Sequence, residues 1–267
     1  MNRSGLHSMP NVVEIKPGAG LKWNEIRCID ALEGIREIPD KCIDLGFADP
    51  PFNIDLESNV NNGKAFSEKK EGTISYYDDL LDPVEYEAWC GKWLSEMIRT
   101  CQKVIVYCGN VNVPMFHRIR EPLDEIVYFT KFNTIITSCA WAGRYRPLLV
   151  YASDKNSFLG RPPGENCKFD TNVIVKSRQF FDKSEERDRK VLRHPCPIDR
   201  ELIHAILVQM KPRSFLDPFA GSGTTLYMAK KLGVEKWIGF EKNPAYRADH
   251  EFLLNKAKRV AVQSKLV

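Results

Sequence analysis

Cys42-Ile43-Asp44-Leu45-Gly46-Phe47-Ala48 runs directly into Asp49-Pro50-Pro51-Phe52. The first seven residues are mostly apolar and read as a buried strand. The next four are an unusual way to leave a sheet. Both prolines fix φ and lack an N–H for a ladder, so the backbone turns rigidly. One carboxylate and one aromatic face are thereby held at the carboxyl edge of a sheet, where open α/β sheets bind their ligands. A planar ring with an exocyclic amine suits the pair. Phe52 would stack on the ring, while Asp49 and a proline carbonyl would accept its N–H groups. A plain proline turn with a solvated Asp fits the same four residues, so the tetrapeptide alone leaves both readings open.

Upstream, Ile26 to Asp30 reads as a short strand ending in an acid, and Ala31 to Ile38 has helical spacing until Pro39-Asp40 breaks it. Residues 1–20 carry Gly, Pro, Ser and Asn without periodicity and read as a loose tail. Downstream, residues 53–75 form a long polar loop, either a lid over the site or plain disorder. Asp82-Pro83 opens a helix, with Tyr86, Trp89, Trp93, Leu94, Met97 and Ile98 on its core face. Strands at Lys103–Cys108, Glu125–Thr130 and Arg146–Ala152 follow, with a short helix over 113–122. This alternation predicts an α/β fold with helices on both faces of a mostly parallel sheet.

A second constellation lies near the other end. A helix over Arg200–Met210 precedes the strand Ser214–Leu216, then Asp217-Pro218-Phe219-Ala220-Gly221-Ser222-Gly223-Thr224-Thr225. A helix to Leu232 and a strand ending at Glu241 complete a strand, glycine loop, helix, strand unit. The glycines let a ligand approach the backbone, and the helix start offers free N–H groups to an anion. Glu241 falls about 20 residues past the loop, where a ribose-binding acid is expected. The loop is not G-x-G-x-x-G and no G-K-[ST] follows, which speaks against NAD and ATP.

The chain has 267 residues, 43% hydrophobic and 28% charged, enough for one sizeable domain with a small insertion. Its formal net charge of +4 is compatible with nucleic acid but does not point to it alone. Eight scattered cysteines without a C-x-x-C pair argue against a zinc ribbon or disulfide framework and for a reducing cytoplasm. No metal site, bilayer-spanning run or signal-peptide core is legible. The irregular stretch 153–193 holds ten Lys and Arg against seven acids, and reads as a solvated insertion or a contact to a phosphate backbone.

Taken together, the two constellations resemble the DNA amino-methyltransferases. Asp217 to Thr225 looks like their S-adenosylmethionine motif, and Asp49-Pro50-Pro51-Phe52 like their catalytic motif. The catalytic motif comes first, then the insertion, then the cofactor motif, which resembles the permuted β class. Ile29-Asp30-Ala31-Leu32 matches the short segment upstream of the catalytic motif. His194-Pro195-Cys196-Pro197 resembles an HP-x-x-P segment, although the usual Lys-Pro ending is Ile198-Asp199 here. The resemblance implies a Rossmann-like, doubly wound catalytic domain over 21–152 and 194–267, with 153–193 as the target-recognition region.

It further implies a site-specific enzyme that flips a base out of double-stranded DNA and methylates its amine without a metal. Asp49, Pro50, Pro51 and Phe52 would be catalytic. Cofactor contacts would come from Asp30, Ala31, Asp49, His194, Pro195, Asp217, Phe219, Ala220, Gly221, Ser222, Gly223, Thr224, Glu241 and Lys242. Arg161, Lys176 and Arg178 are the DNA-contact candidates. Trp141 and Tyr145 lie where the family lines its base pocket, and Trp141 also fits core packing. An Asp at the first catalytic position accompanies adenine N6 in the family, and cytosine N4 is the alternative. A cognate restriction endonuclease and a homodimer are further implications. The rival readings are an RNA or protein methyltransferase, a non-catalytic DNA-binding subunit and a nucleotide-dependent oxidoreductase. The motif order, the retained Asp49, Gly221 and Gly223, and the glycine pattern speak against these in turn.

Overall fold

Residues 21–54, 81–130, 144–152, 172–176 and 179–263 are described by a computed structural model. The elements are β1 (Glu25–Arg27), α1 (Ala31–Arg36), β2 (Ile43–Ala48), α2 (Pro83–Thr100), β3 (Cys101–Tyr107), α3 (Val113–Ile119), β4 (Asp124–Thr130) and β5 (Tyr145–Ala152). They continue as β6 (Val173–Lys176), α4 (Lys183–Arg189), α5 (Arg200–Met210), β7 (Ser214–Asp217), α6 (Thr224–Lys231), β8 (Lys236–Phe240) and α7 (Arg247–Gln263). The eight strands join one sheet in the order β1-β8-β7-β2-β3-β5-β4-β6.

Only β5 runs against its neighbours, pairing antiparallel with β3 and β4, while the other pairings are parallel. Parallel strands need both faces covered, and two apolar layers do this. Ile35, Trp93, Phe116 and Leu149 pack beneath α1, α2 and α3. Leu45, Phe47, Leu202, Leu226 and Leu253 pack beneath α5, α6 and α7. The sheet is therefore doubly wound, and β2 and β7 lie side by side at its centre with their carboxyl ends on the same edge.

Local chemistry sets the boundaries that matter for that edge. Asp82 caps α2, its carboxylate accepting from Val84 N at 2.9 Å, with Pro83 in the first turn. Asp30 caps α1 in the same way, accepting from Leu32 N at 2.9 Å. The strand before it is shorter than the sequence suggests: β1 ends at Arg27, and Cys28 to Asp30 lead into the cap.

Three differences from the sequence reading concern the second half. Residues 173–176 are a strand of the sheet, parallel to β4, rather than irregular insertion. Residues 183–189 form a helix capped by Asp182, whose side chain accepts from Glu185 N at 2.7 Å. The helix α7, absent from the sequence reading, covers α6 with Leu253 and Ala257. The loose tail at 1–20, most of the polar loop, Trp141, Arg161 and Arg178 lie outside the described residues.

Candidate active site

β2 is buried almost throughout, and it delivers Asp49 to the carboxyl edge between β7 and β3. The turn that follows is held from three sides. The Tyr86 hydroxyl donates to the Pro51 carbonyl at 2.6 Å, and Asn112 Nδ2 to the Phe52 carbonyl at 2.8 Å. Neither contact uses the Pro50 carbonyl. Asn53 adopts the left-handed conformation (φ 57°), and its amide exchanges two hydrogen bonds with the Leu81 backbone, at 2.9 and 2.7 Å. The Phe52 ring lies 6.1 Å from that of Tyr107, tilted by 43°. A Cβ at Gly109 would stand 3.3 Å from Phe52 Cδ2, so glycine gives that ring its room.

Asp217 ends β7 on the neighbouring strand and is 1% exposed. Phe219 N donates to its Oδ1 at 2.9 Å, and the Thr225 hydroxyl donates to Oδ2. The glycine loop is thereby folded back on its own strand. Gly221 and Gly223 both take positive φ, 50° and 80°, which side chains resist. Gly221 N donates to Glu241 Oε2 at 2.8 Å and Asn243 N to Oε1 at 2.7 Å, so the end of β8 grips the loop. His250 Nε2 meets the Gly221 carbonyl at 2.8 Å. Gly223 stands at the N-cap of α6 and offers no capping side chain, leaving first-turn N–H groups to a ligand.

The His194 segment crosses this loop. Asp249 on α7 accepts from Arg193 N at 3.0 Å and from His194 N at 2.9 Å. The His194 ring stands edge-on to Tyr246, centroids 4.7 Å apart. Cys196 N donates to His194 Nδ1 at 3.3 Å, so that nitrogen is an acceptor and the proton of the neutral ring is on Nε2. Burial, with His250 nearby, pushes the His194 pKa down to about 4. The Cys196 thiol is pushed up to about 11, by desolvation and then by the Asp49 charge.

Electrostatics tie the strand ends together. Burial, then the Asp217 carboxylate, pushes Asp49 up to about 8, against the pull of Arg146. Asp217 is pushed up to about 7, by burial first and in small part by Glu241, against the Thr225 and Phe219 hydrogen bonds. Along the edge, in spatial order, stand Asp30 after β1, Glu241 after β8, Asp217 on β7, Asp49 after β2 and Tyr107 on β3. Carboxyls that raise one another's pKa favour a cationic ligand. S-adenosylmethionine, with a sulfonium, an ammonium and a carboxylate, fits this set together with the open start of α6.

The structure thus brings Asp49 to Phe52, His194, Pro195, Asp217 to Thr224 and Glu241 to one edge. Asp30, Ala31 and Lys242 leave the paired strands β1 and β8 at that edge. Tyr145, at the start of β5, is 47% exposed.

Lys176 is a correction. It is 2% exposed, and its ammonium pairs with Asp199 at 2.7 Å, so it has no surface to offer DNA. Strand alternation turns it inward under α5. The unusual Asp199 has the same explanation: it also accepts from Arg189 at 2.8 Å and from the Tyr128 hydroxyl at 3.1 Å. The sequence reading missed Tyr86, Tyr107, Asn112, Arg146, Asp249 and His250, which carry no motif of their own. Among the described residues no group of three or more His, Cys, Asp or Glu could hold a metal ion. No helix of the described residues is long and apolar enough to cross a membrane.

Comparison with known proteins follows the same lines. The chain is 28% identical over 244 residues to the type II methyltransferase M.HinfI of Haemophilus influenzae, covering 81% of this chain and 64% of that protein. It is 27% identical over 274 residues to M.BamHI of Bacillus amyloliquefaciens, covering 90% and 59%. The chain therefore spans less than two thirds of either relative. It is 25% identical over 265 residues to the DNA adenine methyltransferase YhdJ of Escherichia coli K12, covering 84% and 81%. Among solved structures, the cytosine-N4-specific PvuII DNA methyltransferase shares the fold at a TM-score of 0.59 and 17% identity, covering 88% of this chain and 90% of that one. The M1.HpyAVI–SAM complex does so at 0.54 and 17%, covering 86% and 99%. A family model for N6 and N4 methyltransferases, described as DNA methylase, matches residues 43–251, and the chain belongs to that family.

Proposed function

We propose that the chain transfers a methyl group from S-adenosylmethionine to the exocyclic N6 amine of adenine in double-stranded DNA. The observation that carries this reading is the adjacency of Asp49 and Asp217, the ends of two paired central strands, each raised by burial among carboxyls. The cofactor supplies an electrophilic methyl group. Gly221, Gly223 and the start of α6 would hold its amino-acid end, and Glu241 and Asp30 its ribose and adenine. Each Glu241 oxygen already accepts one backbone N–H and keeps a lone pair for a hydroxyl.

The acceptor side needs positioning more than activation by a strong base. An exocyclic amine is a poor nucleophile because its lone pair is delocalised into the ring. Accepting its two N–H groups at Asp49 and the Pro50 carbonyl favours a more tetrahedral nitrogen and frees that pair. Asp49 then stabilises the charge that develops on nitrogen or takes its proton. Phe52, held by Asn112 and Gly109, would stack on the base. A base inside a duplex cannot reach this edge, so flipping belongs to the proposal.

Cytosine N4 is the second reading, supported by the cytosine-N4-specific structural relative. DNA contacts are proposed for Arg161 and Arg178. A cognate endonuclease and a homodimer extend the same reading, and size-exclusion chromatography tests the latter. The deciding experiment is digestion of DNA treated with the purified protein and labelled S-adenosylmethionine, followed by mass spectrometry of nucleosides. N6-methyladenine is the expected product. N4-methylcytosine alone would shift the reading to the second base, and no methylated nucleoside would end it.

A further inference from the structure

Because β5 runs antiparallel to β3 and β4, its first residues stand at the edge where Asp49 and Asp217 end their strands. The register fixes the place: Leu148 lies opposite Tyr107, and Arg146 opposite Tyr128. Alternation puts Arg146 on the face of Leu148, which packs with Phe47 and Tyr128 beneath α5, and Tyr107 packs against that cluster. The Arg146 cation acts on Tyr107, drawing down the pKa of a hydroxyl that burial pushes up. Tyr107 in turn neighbours the Phe52 ring. Arg146 is also the cation that acts on Asp49. Among the described residues no carboxylate forms an ion pair with Arg146, whereas Lys176 and Arg189 are both clasped by Asp199. A half-buried fork of donors therefore stands at the same sheet edge and on the same face as Asp49, one strand beyond β3.

We propose that Arg146 is a specificity-determining residue that donates a hydrogen bond to the ring nitrogen next to the methylated amine. The inference rests on the methyl-transfer reading and adds what that site demands of its base. With the amine on Asp49, the neighbouring ring atom is N1 in adenine or N3 in cytosine. Both are acceptors, and a guanidinium is a donor only. In guanine and thymine a carbonyl takes the place of the amine and the ring nitrogen beside it carries an N–H, so donor would face donor. Two unpaired buried donors cost more than a hydrogen bond contributes. Arg146 thus selects the amine-and-acceptor edge that adenine and cytosine present.

The test uses duplexes carrying the recognition site, located beforehand by sequencing modified bases in DNA from expressing cells. The target position holds either adenine or 1-deazaadenine, in which C–H replaces N1; 3-deazacytosine serves if the base is cytosine. The native protein is expected to lose about 10- to 100-fold in kcat/KM on the deaza base, as for a hydrogen bond to a charged donor. Arg146→Met is expected to differ by less than about threefold between the same two duplexes, because the donor is gone. Comparing the ratios cancels the altered nucleophilicity of the deaza amine. S-adenosylmethionine titration of the variant, expected to match the native protein, reports its folding. If Arg146→Met fails that titration, Arg146→Lys replaces it, with discrimination well below native expected because one mobile ammonium nitrogen replaces a fixed planar fork. Undiminished discrimination in the folded variant overturns the proposal, as does a native protein that treats both duplexes alike. Failure of the underlying reading looks different: no natural base is methylated at all.

Discussion

The amide of Gly221 and the carboxylate of Glu241 are 2.8 Å apart across 20 residues of chain. This bond closes the glycine loop onto the end of β8 and makes loop shape depend on a neighbouring strand. Gly221→Ala would place a Cβ 2.7 Å from His194 Nε2 at a φ of 50°. Such strain costs about 1–3 kcal/mol, and S-adenosylmethionine affinity should fall by about tenfold or more. Calorimetric titration checks it. Native affinity in the variant would separate the loop from cofactor binding.

The same loop is gripped from above by His250, whose Nε2 meets the Gly221 carbonyl at 2.8 Å. His250→Phe removes the donor and leaves a buried carbonyl unpaired, a loss of about 1–3 kcal/mol. Both Tm and cofactor affinity are expected to drop. His250→Gln, which retains an N–H donor, should recover part of each, whereas a purely space-filling role would favour the phenylalanine.

Asp49→Asn keeps the size of the side chain and removes the charge. Methyl transfer should fall by about 100-fold or more, the usual scale for a positioned acid or base. Cofactor affinity should stay within about tenfold, because Gly221, Gly223 and Glu241 remain in place. Single-turnover kinetics separate the two quantities, and near-native turnover would exclude Asp49 from the chemistry.

Asp49 and Asp217, pushed up to about 8 and about 7, bind protons in the folded state that the unfolded chain has released. The free protein should therefore lose stability as pH rises from 6.5 to 8.5. His194 and His250 are depressed below 6.5, so their opposing gain in stability is largely complete at pH 6.5 and finished by about pH 7.5. A cationic ligand prefers the ionised carboxyls, so affinity for S-adenosylmethionine should rise over the same range, levelling off above pH about 8. Melting curves at both pH values, with and without the cofactor, should show a larger ligand-induced shift at the higher pH. Equal shifts would show that the carboxyls do not face the ligand's charge.

Lys176→Met breaks a buried pair with Asp199 and leaves that carboxylate held by Arg189 and Tyr128. Removing one partner of a buried pair costs about 3–5 kcal/mol, and the compensating cation here should keep the loss near the lower end. Urea denaturation measures it. The salt dependence of DNA binding should not change, because the ammonium touches no solvent.

What the sequence made legible was whatever is encoded within a few residues. Asp82-Pro83 announces a capped helix, Asp49-Pro50-Pro51-Phe52 a rigid strand exit, and Asp217 to Glu241 a complete strand-loop-helix-strand unit. Each works through backbone rules that need no distant partner. Val173–Lys176 was not legible because four residues with one buried side chain become a strand only when β4 lies beside them. The direction of β5 was hidden for the same reason, and with it the arrival of Arg146 at the carboxyl edge. His250 and Asp249 belong to a helix that carries no motif, and they matter only once folded over Gly221.

The sheet's centre is written late in the chain. β7, residues 214–217, fits between β2 and β8, and β1 pairs with β8 alone, Glu25 meeting Ile238 across more than 200 residues. On a ribosome, β2, β3, β4 and β5 can associate while the central edge of β2 stays bare. Pairings this distant form slowly, and an open buried-type strand is a template for the wrong neighbour. Asp49 would be made early but gain its carboxyl neighbour only when the Asp217 strand docks. A nascent chain would thus carry the Asp49 turn for some 170 residues of synthesis before its Asp217 neighbour exists, and over that interval the β2 edge stays open to wrong pairing.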